Sequence, residues 1–92
     1  MYDSNLDNIW PVEVRFVEDE THTHATARAA LRGGETISAT GDAYRNPKDP
    51  RQPMIGEEIA AARALISLGT ELLHAASKRI EQVTQQPVHL HG

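Results

Sequence analysis

The chain has 92 residues, enough for one domain with a single modest hydrophobic core. It contains no cysteine, which excludes a disulfide framework and a thiolate metal site, and its net charge of −4 argues against a phosphate-rich partner. The N-terminal segment is polar and acidic, unlike a signal peptide, and no later run predicts a membrane span, so we expect a cytoplasmic protein with no membrane partner.

The domain is expected to begin after a short lead-in. Residues 1–9 are polar and predict a flexible N-terminal segment, whereas residues 10–92 predict one folded domain. Apolar residues make up 39% of the chain, and alanine supplies a third of them. A core built from alanine buries little area in a single chain, which favours the presence of a partner surface.

Two alternating segments predict the first hairpin. Apolar and polar side chains alternate over residues 10–17 and again over residues 22–31, which is typical of half-buried strands. A two-residue turn at Asp19-Glu20 would set Phe16 opposite Thr23. This pairing keeps the apolar side chains of both strands on one face of the sheet.

A third strand follows the glycine pair. A two-residue Gly33-Gly34 loop would set Ile37 against a residue of the polar face, whereas a three-residue loop from Arg32 to Gly34 sets Ile37 against Ala29 on the apolar face. The three-residue loop is therefore predicted, with Gly34 in the left-handed conformation. The three strands form an antiparallel meander.

A long C-terminal helix is predicted from a continuous apolar stripe that steps by four and three residues. The stripe consists of Ile55, Ile59, Ala62, Ile66, Gly69, Leu73, Ala76, Ile80 and Val83. It is expected to cover the sheet, with Gly69 allowing either a close approach to the second strand or a local kink. The flanking residues Leu65, Leu68 and Leu72 would then be uncovered, which predicts a homodimer packed helix to helix.

The segment between sheet and helix contains three prolines and predicts an extended crossover. Gly56 is the expected N-cap, with Glu57 and Glu58 beside the first-turn amides. Asn46 and Asp49 each precede a proline and can start turns. The cations of this loop either keep it in solution or bind an anion or acidic partner, and the residues of that possible site are Arg45, Asn46, Lys48, Asp49 and Arg51.

These residues also carry a family resemblance. The segments Gly41-Asp-Ala-Tyr-Arg-Asn-Pro-Lys-Asp49, Ile55-Gly-Glu-Glu-Ile-Ala-Ala-Ala-Arg-Ala-Leu65 and Pro87-Val-His-Leu90 resemble a family of small uncharacterised actinobacterial proteins. The resemblance covers about residues 10–90. It implies a fold similar to the double-stranded-RNA-binding domain, in the order β-β-β-α, with no established activity. The predicted elements give the same α+β arrangement, a three-stranded antiparallel sheet packed by one long helix.

RNA binding does not follow from such a fold. Domains that bind duplex RNA use an N-terminal helix and lysines at the start of the C-terminal helix. This chain has a short polar lead-in and begins its helix with Glu57-Glu58, which would repel phosphates. Weak nucleic-acid binding therefore remains the alternative function, and it would use Arg28, Arg32, Arg45 and Arg51.

Histidine pairs supply the candidate metal ligands and a candidate pH-sensitive site. His22 and His24, and likewise His89 and His91, have a spacing that can chelate a transition metal, but solvated surface histidines are the expectation and no metal is predicted. The strand register also predicts a row of Arg15, His24 and Asp42 across the outer face of the sheet. A carboxylate beside His24 would make that row sensitive to pH, unless it is only a solvated charge ladder.

No catalytic or cofactor constellation emerges from the sequence, because its serines have no base at a predictable distance. We therefore expect a protein that is not an enzyme and needs no cofactor. The favoured function is a homo-oligomeric protein-interaction module that uses the helix, with an unknown protein partner.

Overall fold

Three antiparallel strands and one helix make up the fold that the computed structural model describes for residues 8–85, 87 and 90. The strands are β1 (Val12–Glu18), β2 (His22–Ala30) and β3 (Thr36–Tyr44), and they pair in the order β1-β2-β3. The helix α1 (Pro53–Thr84) lies across β2 and β3. The predicted α+β fold is confirmed, and most of the predicted lead-in, residues 1–7, lies outside the described residues.

The first hairpin differs from the prediction by two residues. Phe16 is opposite Ala25 rather than Thr23, and the turn lies one residue later, between Asp19 and His22. The Asp19 carboxylate accepts hydrogen bonds from the backbone N–H groups of Thr21 and His22, both at 2.9 Å, and this side-chain bonding fixes the turn. A shift of two residues leaves the same side chains on the helix side of the sheet.

The second hairpin is as predicted. Ile37 is opposite Ala29, and a three-residue loop from Arg32 to Gly34 joins the strands. Gly34 has a φ of 89°, which is the left-handed conformation that this loop requires. The prediction is confirmed because a loop one residue shorter or longer would turn the apolar side chains of one strand to the other face of the sheet. A three-residue loop keeps the apolar side chains of both strands on the helix side.

The contact between α1 and β3 determines which face of the helix is buried. A Cβ added at Gly41 would lie 2.3 Å from the backbone N of Ala64 and 2.5 Å from the backbone O of Ala60. The helix backbone therefore rests directly on the strand backbone. The buried apolar residues are correspondingly small, with one exception, Leu68, and they are Ala25, Ala27, Ala29, Ala43, Ala60, Ala64 and Leu68.

The predicted orientation of the helix is wrong. The stripe from Ile55 to Val83 does not cover the sheet, and Ile66 in its centre is 71% exposed. Leu68, expected on an uncovered flank, is 4% exposed and packs in the core. The close approach at Gly41 explains the reversal, because only an alanine face allows two backbones to come so near, and isoleucine side chains would hold the helix away.

The helix entry also differs from the prediction. The helix begins at Pro53 with Gln52 as N-cap, so Gly56 lies inside the helix and the first turn has no acidic residue. Gly56 instead faces the sheet, where an added Cβ would lie 2.9 Å from Oγ1 of Thr23. Gly69 was expected to touch the sheet or kink the helix, yet nothing among the described residues lies within 4 Å of a Cβ built there, and α1 runs through it unbroken.

Gly41→Ala should destabilise the fold by about 3 kcal/mol, because the new methyl group meets helix backbone that no rotamer change can relieve. Denaturant unfolding followed by circular dichroism measures this loss. Gly33→Ala is the matched control, since nothing among the described residues lies within 4 Å of its added Cβ. Equal stability of the two variants would contradict the close-contact account.

Candidate functional site

The most unusual surface of the molecule is an exposed apolar stripe along α1. Because alanines hold the opposite face against the sheet, most of the predicted stripe points away from the core: six of its nine residues are exposed, and Gly69, Leu73 and Ala76 are half-buried. We call the nine residues the outer seam: Ile55, Ile59, Ala62, Ile66, Gly69, Leu73, Ala76, Ile80 and Val83. Monomeric proteins rarely expose a continuous apolar patch of this length unless it has a binding role.

A second apolar surface lies beside the outer seam, on the β1 side of the helix. Leu65 is 44% exposed, whereas Leu72 is half-buried and lines a shallow cavity with Trp10 and Leu31. Trp10 and Val12 are only half covered, because α1 lies over β2 and β3. Of the three leucines predicted to form an interface, Leu65 and Leu72 therefore border the surface, and Leu68 does not.

The crossover loop is held mainly by Arg45. Its Nε donates to the backbone O of Glu20 at 2.9 Å, and its Nη1 donates to the backbone O of Asp49 at 2.6 Å. The Asn46 side chain starts a turn as predicted, accepting a hydrogen bond from the backbone N of Lys48 at 3.0 Å. Arg45 thus closes the loop onto the first hairpin, which leaves Lys48 and Arg51 as the exposed cations of the loop.

The loop, the first hairpin and the start of α1 line an open cavity of about 330 Å³. Its rim includes the acidic residues Glu18 and Glu20. Next to this rim, a hydrogen bond between the side chains of Glu57 and Glu18 raises the pKa of Glu57. Because Arg45 and Arg51 line the same cavity, its rim carries charges of both signs and does not single out an anion.

The outer face of the sheet carries a polar cluster of four side chains, His22, His24, Asp42 and Tyr44. Nε2 of His22 and Nδ1 of His24 each lie 2.7 Å from the same Oδ1 of Asp42. The ring of His22 stacks on Tyr44, with centroids 4.5 Å apart and planes 4° from parallel. Hydrogen bonds from His24 and then His22 lower the pKa of Asp42.

The predicted row across this face is confirmed only in part. His24 is directly opposite Asp42, as the sequence predicted. Arg15 lies opposite Thr26 instead, because the first hairpin is shifted by two residues, and Val17 takes its place beside His24. His22 was missed as a member, although its diagonal position to Asp42 follows from the correctly predicted second hairpin. His89 and His91 lie outside the described residues.

Contrary to the sequence expectation, α1 is long and apolar enough to span a membrane, since an 18-residue window within it has a mean hydropathy of 1.2. These criteria do not separate a membrane span from the core helix of a water-soluble protein. Here one face of the helix packs on the sheet, and Nη1 of Arg63 donates to the backbone O of Asp42 at 2.7 Å. A helix surrounded by lipid would have neither contact.

Comparison with known proteins identifies mycobacterial relatives. A family model described as Rv2632c-like matches residues 8–89. The chain is 41% identical over 81 residues to uncharacterized protein Mb1767 of Mycobacterium bovis, which covers 88% of this chain and 85% of that protein. It is 36% identical over 77 residues to uncharacterized protein Rv2632c of Mycobacterium tuberculosis, and this alignment covers 84% of this chain and 82% of that protein. The crystal structure of Rv2632c matches with a TM-score of 0.79 at 32% identity, over 92% of this chain and 100% of that one.

Acid should weaken the fold in part through Asp42. The folded pKa of Asp42 is lowered from 3.8, so its contribution to stability is present above that pH and is lost as the pH falls through the folded pKa. Asp42→Asn should therefore reduce stability at pH 7, and the difference from the wild type should shrink below about pH 4. Urea midpoints across this range test the prediction, with Asp49→Asn as control. A difference that does not change with pH would contradict it.

Proposed function

Because the chain belongs to the Rv2632c-like family, a family of unknown function, we propose its function from its geometry: a non-enzymatic interaction module that forms a homodimer through the outer seam of α1. The observation that carries the proposal is an apolar repeat on the helix face away from the core, six of whose nine residues are exposed. Burying that repeat against a second copy removes its apolar area from water, at roughly 25 cal/mol for each Å².

The spacing of the outer seam supports a paired helix. Steps of four and three residues average 3.5, which is the repeat by which two helices pack side by side in a coiled coil. Large side chains occupy one of the two alternating sets, namely Ile59, Ile66, Leu73 and Ile80. Small residues occupy the middle of the other set, which is Ile55, Ala62, Gly69, Ala76 and Val83.

The alternation of large and small residues favours an antiparallel pair. In an antiparallel pair, the large residues of one helix lie opposite the mostly small residues of the other helix. The layers of the interface are then filled evenly. Parallel packing would set isoleucine on isoleucine and glycine on glycine, which makes layers alternately too thick and too thin. The central antiparallel layers are Ile66 with the partner's Gly69, Leu73 with the partner's Ala62, and Ile59 with the partner's Ala76.

Gly69 gives independent support for the antiparallel dimer, because no contact within the described part of its own chain requires a glycine at this position. Among the described residues, and apart from neighbouring helix backbone, no heavy atom lies within 4 Å of a Cβ built there. Glycine inside a helix costs about 1 kcal/mol relative to alanine. At the centre of an antiparallel pair this glycine makes room for the partner's Ile66, which accounts for its presence.

The residues beside the seam are also self-complementary in this register. On the β1 side, exposed Leu65 meets the partner's half-buried Leu72, which extends the apolar contact. Glu58 then lies near the partner's Arg79, whose guanidinium already pairs with Glu35 of its own chain. An ion pair at each end of a symmetric interface fixes the register more than it adds affinity.

The alternative of nucleic-acid binding has less support. The chain carries a net charge of −4, and Arg45, one of its four candidate arginines, is bonded to backbone oxygens of the loop. The surface that the geometry singles out is apolar rather than basic, which is typical of protein contacts and not of phosphate contacts. We therefore propose a water-soluble, cytoplasmic dimer whose further protein partner is unidentified.

Gly69→Leu tests the proposal because the single chain has room for the new side chain and the antiparallel dimer has none. We expect the wild type to show twice the 10.1 kDa mass of one chain in light scattering, and the variant to show one. Its helix content should be kept or raised, since leucine favours a helix. Ile66→Glu should also give a folded monomer, because that side chain is 71% exposed.

Lys78→Leu is the matched control, since it adds the same leucine to an exposed position on α1 outside the seam. It should leave the mass at two chains. A wild-type monomer at all concentrations, or a Gly69→Leu variant that dimerises like the wild type, would contradict the proposal. A monomer that binds duplex RNA with a steep salt dependence would favour the nucleic-acid alternative.

A further inference from the structure

We propose that His22, His24 and Asp42 form a binding site for a divalent first-row transition metal, such as Zn²⁺, on the outer face of the sheet. Each of these residues offers one ligand atom, and the three atoms lie within 4.8 Å of one another. The site is on the opposite side of the sheet from α1 and does not depend on the proposed dimer. All three side chains are about one-third exposed, so an ion can reach them from solvent.

The strand ladder places the three ligands. His22 and His24 are two apart on β2, so both imidazoles leave the same face of the sheet. Asp42 lies directly opposite His24 on the neighbouring strand, and its Oδ1 is 2.7 Å from a nitrogen of each imidazole. Ligands on paired strands are held more firmly than ligands on a loop, which lowers the entropic cost of binding a metal.

Two further contacts fix the orientation of the ligands. The His22 ring lies flat against Tyr44, at 4.5 Å between centroids, which limits rotation of that imidazole. The backbone of Asp42 is tied to α1, since its carbonyl O accepts a hydrogen bond from Nη1 of Arg63 at 2.7 Å. Support of this kind behind the ligands is a regular feature of metal sites.

The donor set indicates the class of metal. Two imidazole nitrogens and one carboxylate oxygen suit Zn²⁺, Co²⁺, Ni²⁺ or Cu²⁺, whereas Mg²⁺ and Ca²⁺ prefer oxygen ligands throughout. Ligand bonds of about 2.0–2.1 Å in a tetrahedral arrangement place donor atoms roughly 3.4 Å apart. The present spacing of 2.7 Å between each imidazole nitrogen and Oδ1 of Asp42 is that of a hydrogen bond, so each nitrogen needs to move about 0.7 Å from that oxygen to admit the ion.

Binding exchanges protons for the metal at those atoms. In neutral imidazoles, the proton that bridges each ring nitrogen to Asp42 moves to the other ring nitrogen, and the freed lone pair binds the ion. Asp42 is already ionised because hydrogen bonds from His24 and His22 lower its pKa, so it needs no deprotonation near neutral pH. Three protein ligands leave a fourth position of a tetrahedral ion open to water or to another ligand.

The test is calorimetric titration of the chelator-treated full chain with ZnCl₂. All proteins compared carry His89→Ala and His91→Ala, because that pair has the same spacing as His22 and His24. We expect one Zn²⁺ for each chain. The additional change His24→Ala or Asp42→Asn should weaken binding by about tenfold or more. His74→Ala, which removes an exposed histidine of α1, should have no effect.

A second measurement guards against variants that fail to fold. Nuclear magnetic resonance of the His89→Ala, His91→Ala protein during the same titration should show shifts of the His22 and His24 ring signals and little change at His74. Absence of Zn²⁺ binding would overturn the proposal. Binding that persists unweakened in a folded Asp42→Asn variant, or ring shifts confined to His74, would do so as well.

Discussion

The fold depends on one backbone contact, the approach of α1 to β3 at Gly41. An added Cβ would lie 2.3 Å from the Ala64 nitrogen, so no other residue fits there without moving the helix. That approach requires a thin helix face, which Ala60 and Ala64 supply. The bulky side chains of α1 must then point elsewhere, and most of them point outward. The apolar outer seam is thus a consequence of the same contact that forms the core.

A core built mainly from alanine limits the free energy of folding that a single chain can reach without a partner. Burial of alanine removes little apolar area from water, and among the described residues no large side chain is fully buried. Trp10 remains 48% exposed at the edge of the sheet. Association through the outer seam would add the area that the monomer lacks and would stabilise the folded chain by mass action. The polar cluster around Asp42 lies on the other side of the sheet and remains accessible in such a dimer.

Much of the fold was predictable from the sequence because strand alternation and loop parity leave few choices. The loop ending at Gly34 is the clearest case, since one loop length alone keeps Ile37 on the apolar face. The first turn was missed because the Asp19 carboxylate bonds two backbone amides, which alternation does not reveal. The helix face was missed because hydrophobicity ranks isoleucine above alanine, whereas the contact at Gly41 favours small size. The candidate site was found only in part, since His22 reaches Asp42 diagonally and not as a direct strand neighbour.

The most direct test of the account uses the absence of native cysteine. In the antiparallel register, which is centred between residues 67 and 68, position 70 lies about 7.5 Å along the axis from position 70 of the partner, whereas position 77 lies about 28 Å from its own copy. A short thiol-to-thiol cross-linker should therefore join Thr70→Cys chains into a dimer and leave Ser77→Cys chains unjoined. Equal cross-linking of the two variants, or none in either, would contradict this antiparallel helix pair.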